Sequence, residues 1–311
     1  MTTALVTGAS GFLGRALVAK LRGTGWRVAA AGRARSALPP AEHALRLEAP
    51  DAAAIGRALA GARIDLVFHC AAYGVAPADR DPAAMFAANV AAPAAWAEAA
   101  AALGARAFVH VGSCAEYGLA AQGQPIREDA PLAARDPYGA SKAAGAIWAR
   151  ARAAALSLPF VWVRPFGIFG PGEAPHRLLP HLHARLRLGR RAELTPGLQM
   201  RDFLHVDDAA AGLMAIGAAA LAGLAGECNL CSGRAVSVRA FAEAAARAMR
   251  ADMALLDFGA QDYRPGETPW MVGDPARLAA ATGFRPALSL EDGIARTVAA
   301  LDAATAREAA Q

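Results

Sequence analysis

At 311 residues with 55% hydrophobic and 19% charged side chains, the chain can bury a large core and is neither a disulfide-stapled miniprotein nor a disordered tail. The net charge of +5 invites a nucleic-acid reading, but arginines alternate with acids and no basic run is interleaved with aromatics. A mixed surface suited to small anionic ligands is expected instead, with no nucleic acid as partner.

The chain opens on an apolar strand that breaks at Thr7-Gly8-Ala9-Ser10-Gly11-Phe12-Leu13-Gly14 and restarts as a helix from about Phe12 to Leu21. Glycines spaced G-x-x-G-x-x-G between strand and helix allow a tight turn at Gly8, approach of the main chain to a pyrophosphate at Gly11, and close helix packing at Gly14. Free N–H groups at the helix start then face phosphate. The stretch reads as the first βα turn of a dinucleotide-binding fold, with Gly8, Ser10, Gly11, Phe12, Leu13 and Gly14 around the cofactor. A second strand, Trp26–Ala31, ends in Gly32-Arg33-Ala34-Arg35-Ser36, where such a fold meets the adenosine ribose. An acid there would bind the free 2′-hydroxyl of NAD. Gly32 leaves space instead, and Arg33, Arg35 and Ser36 suit the 2′-phosphate of NADP, so NADP(H) is favoured over NAD(H). The alternative is a set of plain surface arginines.

A third strand, Ala44–Leu47, leads through Glu48 to Asp51, a cap for the helix Ala52–Ala60. Ile64 to Ala72 is apolar without alternation, as in a parallel strand buried on both faces. His69 near its end reads as a packed, hydrogen-bonded residue. The helix from Pro82 carries Phe86, Asn89 and Trp96 and stops at Gly104. The next strand, Ala107–Val111, runs into Gly112-Ser113-Cys114-Ala115-Glu116-Tyr117-Gly118. Asp136 and Pro137 start another helix, which puts Tyr138 in its first turn. After the strand Phe160–Pro165, the alternation becomes irregular beyond Gly172, with a basic helix from about His176 to Arg191.

The expected class is therefore α/β: a Rossmann-type doubly wound parallel sheet in residues 1–172, rejoined by about 200–225. A smaller interleaved substrate lobe takes 173–199 and 226–311. The cysteines Cys70, Cys114, Cys228 and Cys231 suggest no disulfide framework, no charged-then-apolar signal is read before the first strand, and the alanine stretches are broken by charge, glycine or proline. A cytoplasmic protein without a membrane helix is expected. Cys228 and Cys231 have a redox or zinc spacing but no second pair, so burial is the better reading and no metal site is expected.

Tyr138 and Lys142 lie four apart on one helix face. An ammonium near a phenol lowers its pKa and makes it a usable acid or base. Ser113, at a neighbouring strand end, can hydrogen-bond the same substrate oxygen. Lysine occurs only at Lys20 and Lys142, and asparagine only at Asn89 and Asn229, a compositional hint that these positions need those residues.

Taken together, these motifs resemble the extended short-chain dehydrogenases/reductases, the NAD(P)-dependent sugar epimerase/dehydratase group. The resemblance rests on Thr7 to Gly14, His69-Cys70-Ala71-Ala72, Asn89-Val90, Ser113 to Gly118, Tyr138 to Lys142, Arg164-Pro165-Phe166, Arg201 to Asp208 and Arg264-Pro265-Gly266-Glu267. It implies that Tyr138 is the acid/base, that Lys142 binds the nicotinamide ribose, and that Ser113 orients the substrate oxygen. It places Glu48, Ala71, Ala72, Asn89 and Pro165 along the cofactor, and Cys114, Ala115 and Gly167 along the substrate. Arg201 and Arg264 approach a substrate diphosphate, where bidentate guanidinium contacts are apt. The alternative for each arginine is an ion pair with Asp202 or Glu267. A homodimer is implied, paired through the helix before Gly104 and the helix of Tyr138.

Two departures from the family pattern matter. Gly167 stands where sugar-nucleotide members usually carry Asn. Cys114 and Ala115 stand where dehydratases carry an acid or polar group and then Glu, and Glu116 is displaced by one position, as in 4-keto-6-deoxy-sugar reductases. The expectation is an NADPH-dependent reductase of a nucleotide-activated keto sugar, 4-keto-6-deoxy by resemblance, with Tyr138 as proton donor and no 4,6-dehydration. The alternatives are a nucleotide-sugar epimerase on the same scaffold and a non-catalytic dinucleotide sensor, for which the intact Ser113, Tyr138 and Lys142 would be superfluous.

Overall fold

The computed structural model describes residues 1–48, 51–76, 78–264 and 266–309. The first part of the chain alternates strand and helix: β1 (Thr3–Thr7), α1 (Phe12–Gly23), β2 (Arg27–Gly32), β3 (His43–Arg46), α2 (Ala52–Ala58), β4 (Leu66–His69), α3 (Pro82–Phe86), α4 (Ala92–Ala102), β5 (Ala107–Val111), α5 (Pro137–Ala155) and β6 (Phe160–Pro165). The remainder comprises β7 (Gly167–Phe169), α6 (Leu178–Leu186), β8 (Ala192–Leu194), β9 (Met200–His205), α7 (Val206–Leu221), β10 (Gly226–Leu230), β11 (Ala235–Ser237), α8 (Val238–Met249), β12 (Leu256–Phe258), β13 (Trp270–Met271), α9 (Ala276–Thr282) and α10 (Leu290–Ala309).

Seven strands in the order β10-β6-β5-β4-β1-β2-β3 form one parallel sheet. Every residue of β1, β4 and β5 is buried, which is why these strands read as unbroken apolar runs. Alternate residues serve opposite faces. Ala4 and Val6 pack with Leu17 of α1 and Leu213 of α7, whereas Leu5 packs with Ile55 of α2, Trp96 of α4 and Ala149 of α5.

The smaller lobe is built on β9, which pairs antiparallel with β11 and parallel with β7 and β13. Beside it β8 and β12 form a parallel pair, over a core that includes Phe169, Leu182, Phe241 and Ile294. The stretch shared between the units differs from the expected 200–225. Met200–His205 belongs to the small sheet because β9 is its central strand. Gly226–Leu230 belongs to the large sheet, where Cys228 and Leu230 are buried beside β6. The chain thus rejoins the first unit through α7 and β10, residues 206–230.

The predicted helix from Pro82 is interrupted by a π turn, Ala87–Ala91, between α3 and α4. Such a turn inserts one extra residue into the helical ladder and marks a functional or packing demand. Here the demand comes from α5. A Cβ on Gly145 would collide with the Asn89 carbonyl and stand 3.1 Å from Val90 Cα, so only glycine lets α5 settle against the π turn. Gly145→Ala is expected to cost about 1–3 kcal/mol, the range for overpacking a core. Thermal unfolding checks this, and an unchanged melting temperature would show that α5 has room to move.

Candidate active site

The carboxyl ends of the central strands form one ledge, in register through Thr7 opposite His69, His69 opposite His110, and His110 opposite Trp162. The sheet order reverses between β1 and β4, the crevice where open parallel sheets bind ligands. At the end of β1, Gly8 has φ of 62° and an added Cβ would stand 2.7 Å from Ala71 N. Gly14 admits no side chain because Gly8 O fills that space. No side chain caps α1, and its first turn carries no acid, so the N–H groups that a helix start leaves unpaired face outward for an anion. Ala71 N donates to Thr7 Oγ1, which also meets His69 Nδ1 at 2.9 Å. The expected hydrogen-bonded role of His69 is the one it has.

At the end of β2, Arg33 and Arg35 are exposed, and among the described residues neither pairs with an acid. Ser36 N donates to Arg33 O to close the turn. Glu48 backs this turn by accepting the Ala34 N–H at 2.9 Å. No acid stands at Gly32, where a Cβ would crowd Leu38 and Ser36.

Tyr138 enters from the first turn of α5, capped by Asp136, whose carboxylate accepts the Gly139 N–H at 2.7 Å. Lys142 follows one turn later, only 1% exposed, and donates from Nζ to Val111 O at 2.7 Å. Ser113 lies just beyond the end of β5, near enough to the Tyr138 phenol to favour its ionised form. Lys142 thus reaches Val111, two residues before Ser113 at the end of β5, from the helix whose first turn carries Tyr138.

Their electrostatics differ from expectation. Burial pushes the Tyr138 phenol above its ordinary value, reinforced by Cys114 and Glu116 and offset by Ser113 and Arg177. Lys142, expected to lower it, is not among the groups that offset the loss of water around the ring. Burial likewise lowers the Lys142 ammonium to about 8, against the pull of Glu116 and Cys70. Beneath it, burial and then the Lys142 charge hold His69 down to about 3 and His110 well below the usual imidazole range, so both are neutral.

A model of the NAD dependent epimerase/dehydratase family matches residues 4–230, ending on the last residue of β10. The chain belongs to this family. It is an NAD(P)-dependent enzyme of the extended short-chain dehydrogenase/reductase type. A dTDP-glucose 4,6-dehydratase of Streptomyces griseus is 32% identical over 96% of this chain and 94% of its own. A dTDP-4-dehydrorhamnose reductase of the same organism is 35% identical over 71% of this chain and 67% of its own. The UDP-glucose 4-epimerase of Thermus thermophilus, solved in complex with NAD, superposes with a TM-score of 0.86 at 27% identity, covering 97% of this chain and all of that one. The Gly8 cradle and the uncapped start of α1, with Ser10, Phe12 and Leu13 beside it, fit a dinucleotide pyrophosphate.

Other expected contacts are placed differently. Asn89 uses its carboxamide on protein partners: Oδ1 accepts the Tyr73 N–H, and Nδ2 donates to Tyr73 O and Ser141 Oγ. It braces the loop after β4 against α5 instead of offering its side chain to a cofactor. Gly167 has no room for the Asn usual at this position, because a Cβ would stand 2.6 Å from Asp202 O where β7 meets β9. Pro165 ends β6, and Ala71 and Ala72 follow β4.

Arg201 takes its ion-pair alternative, meeting Glu267 and donating to Met200 O and Thr268 O at 2.8 Å each. Among the described residues Asp202 meets no arginine; it accepts from Ser232 N, Ser232 Oγ and the N–H groups of Gly233 and Gly273. Arg264 is exposed, and its neighbour Pro265 lies outside the described residues. Cys114 is half-buried and, through burial, its thiol is pushed up to about 12, while the facing Arg201 pulls the other way. The contacts of Arg164, Asn229 and Arg177 were not read from the sequence. The rarity of asparagine was the signal for Asn229; the other two lie among many arginines.

Lys142 also yields a stability prediction. Its folded pKa near 8 lies below the ordinary 10.5, so between these values the unfolded chain binds more protons and the folded state gains as pH rises. Lys142→Met is expected to be more stable than the parent at neutral pH by on the order of 2 kcal/mol, after allowing for the hydrogen bond it loses. That advantage should shrink from pH 8 to 10.5. Denaturant unfolding of both proteins across this range checks it, and a constant difference would contradict a lowered pKa for Lys142 in the folded state.

Proposed function

We propose that the chain is an NADPH-dependent reductase of the keto group of a nucleotide-activated sugar, with a 4-keto-6-deoxy sugar as substrate. The end of β2 carries this reading: Gly32 in place of an acid, with Arg33 exposed and unpaired among the described residues. NADPH, when bound, supplies the hydride that adds to the carbonyl carbon. Ser113 donates a hydrogen bond to the carbonyl oxygen. Tyr138 gives that oxygen its proton, so the ketone becomes a secondary alcohol. A phenol whose pKa is raised stays protonated at neutral pH, which suits proton donation better than the abstraction that starts an epimerase cycle. Lys142 sits beside this pair and faces the nicotinamide ribose. Arg264, with Arg201 once it leaves Glu267, meets the substrate diphosphate.

Elimination of water across C5 and C6 needs a base and an acid near the substrate. Cys114 and Ala115 provide no such pair, and both oxygens of Glu116 are engaged inside the protein, with Ser113 N and Arg164 Nε. The dTDP-4-dehydrorhamnose reductase relative supports a keto sugar on a nucleotide. For assembly the reading is a homodimer through α4 and α5, whose outer surface exposes Ile147 and Trp148. A monomeric mass at micromolar concentration would count against it.

A charge-assisted contact from Arg33 to the 2′-phosphate is worth about 1.5–3 kcal/mol. At about 1.4 kcal/mol per tenfold, NADPH is expected to be preferred over NADH by about ten- to hundredfold. Arg33→Ala should erode that preference while activity with NADH persists. Equal use of both cofactors by the parent, or purification with stoichiometric NAD bound, would move the epimerase reading into first place. Tyr138→Phe is expected to bind NADPH as the parent does and to lose turnover by about 10²–10⁴-fold, measured by cofactor titration beside steady-state rates. Parent-like turnover would refute the assigned proton donor.

A further inference from the structure

Ser113 is the first residue of a reciprocal cap. It precedes a single 3₁₀ turn, Cys114–Glu116, and its Oγ accepts the Ala115 N–H at 3.2 Å. Glu116 folds back, and its Oε1 accepts the Ser113 N–H at 2.8 Å. Each residue satisfies an amide that the turn would otherwise leave bare. With one lone pair of Ser113 Oγ taken by Ala115, the hydroxyl can turn its hydrogen towards the site, where Tyr138 lies.

The other oxygen of Glu116 is held as firmly. Oε2 accepts from Arg164 Nε at 3.0 Å, with both side chains buried. The guanidinium lies between the rings of Trp162, 4.0 Å from its centroid, and Tyr117, 4.8 Å. It also donates to Tyr117 Oη and Glu128 O. Tyr117 Oη donates in turn to Asn229 Oδ1, and Asn229 Nδ2 donates to Ile126 O. The carboxylate is thus anchored to β6, β10 and the 126–128 loop at once. Gly112 leaves the space it enters, since a Cβ there would collide with Glu116 Oε1 and stand 2.6 Å from Trp162 Nε1. The turn also seats α5, because Gly139 packs directly on Ala115 O.

We infer that Glu116 is a positioning residue for the reduction: clamped by Arg164, it fixes Ser113 so that the hydroxyl meets the substrate oxygen beside Tyr138. This rests on Ser113 as the substrate-oxygen donor. Glu116 itself touches no substrate. Its effect on the reaction runs entirely through the orientation of Ser113, so it must appear in kcat and vanish when the Ser113 hydroxyl is absent.

The test is a cycle of Ser113→Ala, Glu116→Ala and the double variant, read as kcat, KM for both substrates and thermal unfolding. Glu116→Ala is expected to lower kcat by about 10- to 100-fold, the cost of a small misplacement of a reacting group, with KM for NADPH within twofold of the parent, about the scatter expected for a site left intact. In the Ser113→Ala background the same change should cost less than about twofold. Glu116→Gln keeps an acceptor for the Ser113 N–H and is expected to recover most of the loss. Removing the carboxylate alone leaves Arg164 buried and unpaired, which can unfold the chain. Glu116→Leu with Arg164→Met replaces the pair by apolar groups and should fold while showing the same kcat defect. Full kcat in that folded variant, or losses from Glu116→Ala that multiply with those of Ser113→Ala, would overturn the inference. Full kcat in Ser113→Ala alone would instead overturn the role of Ser113, and the inference with it.

Discussion

How closely α5 can approach the sheet decides what this protein can do. Gly139 lets the helix start rest on Ala115 O, and Gly145 lets its middle rest on the Asn89 carbonyl. With either approach blocked, Tyr138 and Lys142 would be carried away from the strand ends. The alanines Ala146, Ala149 and Ala153, buried on the same helix, extend this economy of side-chain volume, so the alanine-rich composition serves close packing of backbone on backbone. Lys142 is the exception, a long cationic side chain driven into that contact and held by Val111 O. Its burial costs stability, as functional sites often do.

Two polar braces keep the reacting edge in shape. Asn89 ties the loop after β4 to α5 through Tyr73 and Ser141, and Ser141 in turn donates to Tyr138 O. Glu116 ties the turn after β5 to β6 through Arg164. Both groups are fully buried and hydrogen-bonded, the condition under which buried polarity rigidifies a site instead of weakening it. The dinucleotide side depends mainly on backbone, with Gly8 and the uncapped start of α1. The edge that carries Ser113, Tyr138 and Lys142 depends on side chains held by these braces.

Much of this was legible in the sequence. The glycine turn, the unbroken apolar strands and the i, i+4 spacing of Tyr138 and Lys142 are local signals, and local geometry enforces them. What depends on distant partners was not. The small sheet takes β9 and the large sheet takes β10 because of pairing between segments far apart in the chain, which periodicity does not report. The π turn at Asn89 answers a glycine on another helix. The sign of the Tyr138 shift is set by burial and not by its lysine neighbour, and burial was invisible along the chain. Glu116 was visible only as a displaced acid; its engagement with Ser113 and Arg164 is a tertiary fact. Arg201 was left between two partners, and the pairing of β13 with β9 brings it to Glu267.

The central claim is that the site completes a net reduction and releases its oxidised cofactor in each cycle. The direct measurement is cofactor consumption with freshly prepared 4-keto-6-deoxy sugars carrying dTDP, GDP, CDP or UDP, set beside intact nucleotide hexoses and simple ketones. The account predicts that at least one activated keto sugar consumes NADPH mole for mole with formation of the alcohol. Intact hexoses should yield neither an epimer nor a 4-keto product. Release of a 4-keto-6-deoxy product from an intact nucleotide hexose, or reduction confined to the simple ketones, would contradict it.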